Sequence, residues 1–68
     1  MMLKFTNASG EYSGNPLYIN SEWIVSIYEQ PTDGGSLMTV VYGGPSSIVW
    51  TIEESLTEAV NIFNGANK

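Results

Sequence analysis

The 68-residue chain has no cysteine, no histidine and no arginine, and its only basic side chains are Lys4 and Lys68. Without cysteine no disulfide can staple the fold, and without cysteine or histidine the ordinary zinc site is excluded. No serine adjoins a candidate base, so the usual nucleophilic constellations are excluded as well. Against the two lysines stand Glu11, Glu22, Glu29, Asp33, Glu53, Glu54 and Glu58, a formal net charge of −5. Nucleic-acid binding rests on Lys and Arg neutralising phosphates, so this balance predicts no nucleic-acid partner. Anionic membrane surfaces are disfavoured for the same reason. No apolar run approaches the roughly 20 residues that span a bilayer. The first residues also lack the basic-then-apolar layout of a signal peptide. The expected location is the cytoplasm.

What is present is apolar and aromatic. The chain is 43% hydrophobic and only 13% charged, the balance of a globular domain rather than a disordered segment. Two Trp, four Tyr and two Phe favour a strand-rich core. A single domain over residues 1–68 is expected. So short a chain buries only about 60% of the surface its unfolded form exposes, and its stability should be small.

Met2 to Thr6 alternates, with Leu3 and Phe5 on one face, as a half-buried strand does. Asn7 to Pro16 is dense in Gly, Asn, Ser and Pro and reads as the longest loop. Leu17 to Asn20 is a second short strand, and Asn20-Ser21 suits a tight corner. Glu22 to Gln30 is the longest strand candidate; both of its faces are rather apolar, which predicts a central strand ended by Pro31. Asp33-Gly34 marks a turn before the strand Leu37 to Tyr42, and Gly43-Gly44-Pro45 marks the next before the strand Ser47 to Ile52.

The period then changes. Leu56, Ala59, Val60 and Phe63 recur at i, i+3, i+4 and i+7, one face of an amphipathic helix over about residues 55–64. That stripe predicts that Val60 is buried. Ser55 with Glu58 fits a capping box, Thr51 with Glu54 is a second candidate, and Gly65 supplies a left-handed C′ position. The expected fold is α+β: a five-stranded antiparallel meander curled into a small roll or partly open barrel, closed by one C-terminal helix. A flatter sheet backed by the helix is the alternative.

The string LYINSEWIVSIYE, then a turn, an apolar strand and IEESLTEAVNIF, resembles the small flagellar FlbD family, also called SwrD. The matching features fall on Leu3 to Thr6, Gly10, Tyr18-Ile19-Asn20, Ile24 to Ile27 with Glu29, and Glu54-Ser55-Leu56 with Glu58 and Val60. They span nearly the whole chain and are mostly structural: strand alternation, a corner Asn and a helix cap. Lys4-Phe5-Thr6 and Ile48-Val49-Trp50-Thr51 depart from the family by losing basic residues, and Gly44-Pro45-Ser46 replaces a Gly-Lys type turn. The resemblance implies a small accessory protein of the flagellum or its motor, without known chemistry. A phage or mobile element is the other home for so acidic a version, and the location is then the host cytoplasm.

Chemistry is sparse. Glu53-Glu54 with Glu58 is the carboxylate cluster; on a helix face Glu54 and Glu58 have the spacing for a hard cation. Acids in a first turn are favoured by the helix dipole and ordinarily solvated, and that reading is preferred. Asp33-Gly34-Gly35 lacks the further ligands or lysine of a cation or phosphate loop. No catalytic, cofactor or metal residue is assigned, and no small-molecule substrate is expected. Trp23, Tyr28, Tyr42 and Trp50 are candidate protein contacts, since aromatic residues anchor interfaces; core packing is their commoner use.

Two functional classes therefore stand. One is a non-enzymatic module that binds a protein partner through a sheet edge or aromatic patch. The other is a small-barrel nucleic-acid regulator of the carbon-storage kind, which needs arginines this chain lacks. The strands Leu37 to Tyr42 and Ser47 to Ile52 carry no charge, so an edge formed by either predicts self-association, most simply a homodimer.

Overall fold

The computed structural model describes residues 1–66. Five strands and one α-helix form in chain order: β1 (Met2–Thr6), β2 (Pro16–Asn20), β3 (Ile24–Pro31), β4 (Leu37–Gly43), β5 (Ile48–Ile52) and α1 (Leu56–Ala66). The fold is α+β, and the strands form two antiparallel sheets rather than one continuous meander: β1–β2, and β3–β4–β5. It is not a closed barrel. The break falls between β2 and β3, where Ser21–Trp23 form a 3-10 turn. The Asn20 side chain caps that turn by accepting the Glu22 N–H at 3.1 Å. Asn20-Ser21 is thus the expected corner, but it turns the chain out of the first sheet.

The sheets meet where β1 ends. Asn7 bridges to Ile52, the Ala8 N–H donates to the Thr51 carbonyl at 3.0 Å, and the Glu53 N–H donates to the Thr6 carbonyl at 2.9 Å. The long loop between β1 and β2 is closed at its base. Asn7 N–H donates to the Asn15 carbonyl at 2.8 Å, and Gly14 N–H donates to the Asn7 carbonyl at 2.7 Å.

One core lies between the sheets and the helix. Leu3 and Phe5 of β1, Ile19 of β2, Val41 of β4, Ile52 of β5 and Ala59 of α1 are its buried members. The alternation along β1 puts Leu3 and Phe5 inside, as its period requires. The central strand of the larger sheet is β4, where Thr39, Val40 and Val41 are all buried. This corrects the expectation for the Glu22 to Gln30 stretch. Its first two residues lie in the 3-10 turn, and the rest forms β3, an edge strand. An apolar residue on each face of a strand is also what an interaction edge looks like, and only pairing partners distinguish the two.

In the β3–β4 hairpin Asp33 and Gly34 are the central pair of the turn, closed by Gly35 N–H to the Thr32 carbonyl at 3.0 Å. The positive φ (84°) falls on Gly35. The helix begins as its capping box dictates: Glu58 N–H donates to Ser55 Oγ, and Ser55 N–H donates to Glu58 Oε1, both at 3.1 Å. Gly65 is not a left-handed cap, because α1 continues through it with an ordinary φ. Val60 is not buried either; it is 37% exposed, whereas Ala59 is fully buried and Ile62 and Phe63 pack on the core. At about 100° per residue, Ile62 pulls the centre of the buried stripe away from Val60, which is left on its rim.

Candidate functional site

The four aromatic candidates do not form one patch. Trp23 is half-exposed in the 3-10 turn, and its carbonyl accepts the Gly44 N–H at 2.8 Å. Trp50 pairs with Val41 on the inner face of the larger sheet and packs against the core. Tyr28 and Tyr42 share the outer face, where Tyr28 pairs with Val40 and Tyr42 with Ser26. They are diagonal neighbours there, roughly 7–8 Å apart. Val40 is 1% exposed on that face, and the Thr51 hydroxyl opposite it is buried without a hydrogen-bond partner.

The carboxylate cluster also divides. Glu54 accepts from the Thr6 N–H and the Thr6 hydroxyl, both at 2.9 Å, and so ties β1 to the segment that enters the helix. Both Glu54 oxygens are thus engaged by Thr6, and Thr51, whose hydroxyl has no hydrogen-bond partner, forms no capping box with it. Glu58 is spent in part on the Ser55 cap. Among the described residues no group of three or more ligating side chains is arranged to hold a metal ion. No helix among them is long and apolar enough to cross a membrane.

The residues that do converge lie along β3. A β-bulge at Ile24–Ser26 shifts the register against β4 and leaves Val25 74% exposed. Beside it, Ile24, Val25, Ser26 and Ile27 line an open groove of about 210 Å³ whose other wall is Val60 and Phe63 of α1. The helix packs against β3 and β1, which fixes that wall. The outer side of β3 has no strand partner among the described residues. A free strand edge offers backbone N–H and C=O groups to any extended segment laid along it, and a flanking apolar groove can take that segment's alternate side chains. Of the groove residues, Val25, Ile27, Val60 and Phe63 were absent from the aromatic contact set. No local signal marked them: the helix stripe placed Val60 in the core, and its rim position depends on how α1 lies against β3 and β1. Compared with family models, with curated proteins and with solved structures, the chain matches none.

Proposed function

We propose that this chain is a cytoplasmic, non-enzymatic protein-interaction module whose docking element is the free edge of β3. The observation that carries the reading is the coincidence of an unpaired strand edge with the Ile24, Val25, Ile27, Val60 and Phe63 groove beside it. On this reading the two sheets are halves of one open roll joined only where the end of β1 meets the end of β5, and β2 and β3 are its outermost strands. Strand addition supplies affinity through main-chain hydrogen bonds and specificity through pockets for alternate side chains. No cofactor, metal or small molecule enters this mechanism. On the sequence resemblance alone, the partner belongs to the flagellum or its motor; a phage-encoded accessory or host-modulating protein would use the same edge.

The test is selection from a displayed library of extended peptides, with amide shifts mapped by NMR. Selected peptides should alternate apolar residues and perturb Ile24 to Tyr28 together with Val60 and Phe63. Val60→Lys, a substitution at the rim of the helix stripe, should abolish binding and leave the spectrum folded. Perturbations confined to the Tyr28 and Tyr42 face would transfer the site to the outer sheet surface.

A further inference from the structure

The seat along β3 changes character along its length. The Ile24 to Ile27 half faces the apolar groove. Two residues on, Glu29 stands on the same face of the strand as Ile27, since they pair with Thr39 and Val41 of β4. The separation is about 7 Å by strand rise. Glu29 enters a second cleft of about 490 Å³ that also holds Glu53, Glu54 and Glu58, with Leu37, Met38 and Ile52 as its apolar floor. Glu54 is committed to Thr6, and one oxygen of Glu58 is committed to the Ser55 N–H. The exposed carboxylates of Glu29 and Glu53 make no hydrogen bond among the described residues.

Carboxylates at a helix start are by themselves a solvated face. Here Glu29 stands on the edge strand itself, two residues beyond the apolar groove, and Glu53 faces it across the cleft from the end of β5, so their charge selects what lies at that end of the seat. We infer that the occupant is an extended segment of another protein with Lys or Arg at one end and alternating apolar residues after it. The apolar residues enter the groove of Ile24, Val25, Ile27, Val60 and Phe63, and the cations meet Glu29 and Glu53. In the antiparallel orientation the basic end comes first, because Glu29 lies toward the carboxyl end of β3. A second copy is the poorer fit. Its β3 carries Glu29 and no cation, and the chain has two lysines against seven acids. The inference rests on β3 being the docking edge.

The experiment uses fluorescence anisotropy with a labelled ten-residue peptide of alternating Val or Ile and Thr, preceded by two lysines. A twin carries glutamate in place of both lysines, and a third carries the lysines at the carboxyl end. Exposed ion pairs are worth a few-fold each, so the glutamate twin should bind about tenfold more weakly or worse. Glu29→Gln with Glu53→Gln, which removes no structural hydrogen bond, should abolish the difference between the lysine and glutamate peptides. Added salt should weaken the lysine peptides alone. Equal binding of the lysine and glutamate peptides would overturn the basic occupant and leave the edge reading standing. Sedimentation as a dimer, with intermolecular NOEs from β3 to β3, would overturn it in favour of a second copy. If no peptide binds and β3 pairs with nothing, both readings fall.

Discussion

Gly43 shows how one missing Cβ sets the geometry of the proposed edge. It is buried and pairs with Ile24 at the start of the β3 bulge, and a Cβ built there would overlap the Trp23 carbonyl oxygen. That carbonyl is main chain and already holds the Gly44 N–H, so it cannot move aside cheaply. Gly43→Ala should cost about 3 kcal/mol, a large share of a small domain's stability, and lower the melting temperature by roughly 10–20 °C. Gly34→Ala is the control: its φ is not positive and its nearest neighbour, Thr32 Oγ1, is 4.0 Å away. That change should stay within about 1 kcal/mol. Thermal melts of the two variants decide; equal melting would mean that the bulge does not need the close approach. In the sequence Gly43 and Gly44 are one turn signal. They act differently, because Gly44 takes a φ of 81° while Gly43 makes room for the Trp23 carbonyl of the 3-10 turn.

The sequence places the start of the helix to within about one turn, between two candidate capping boxes, and misplaces its buried face. Ser55 and Glu58 sit three residues apart and satisfy each other's backbone N–H, a local relation that no distant residue alters. Which residue lies deepest is a tertiary matter. Ala59 is fully buried in the core and Val60 is 37% exposed at the groove. Ala59→Asp should therefore unfold the domain, since an unpaired charge in a core costs several kcal/mol. Val60→Asp should cost about 1 kcal/mol, as a rim position can turn its carboxylate to water. Circular dichroism and thermal melts of the pair test this. If Val60→Asp unfolds the chain and Ala59→Asp does not, the rotation of the helix is wrong.

For the whole molecule, the charge balance bears on nucleic-acid binding. Seven acids against two lysines give a net charge of −5, and four of those acids line one cleft between β3, β5 and α1. Phosphate backbones are repelled by that surface whatever the sheet topology. No DNA or RNA oligonucleotide should bind below about 1 mM at physiological salt, weaker than ordinary non-specific binding. Anisotropy titrations check it, and saturable binding of any oligonucleotide below about 1 mM would overturn it.

The strand segments other than the start of β3, the β3–β4 turn, the capping box and the inward faces of Leu3 and Phe5 follow from the sequence alone. Each depends on residues within a few positions of one another, where period, turn chemistry and caps act. The division into two sheets, the edge position of β3 and the groove beside Val60 were decided only by tertiary structure. An apolar strand reads the same at the centre of a sheet as at its edge, because the difference lies in which other backbone bonds to it. Glu54 is the plainest case. Its neighbours in sequence make it one more acid before a helix, and only the return of β1 to the end of β5 brings Thr6 within 2.9 Å of its carboxylate.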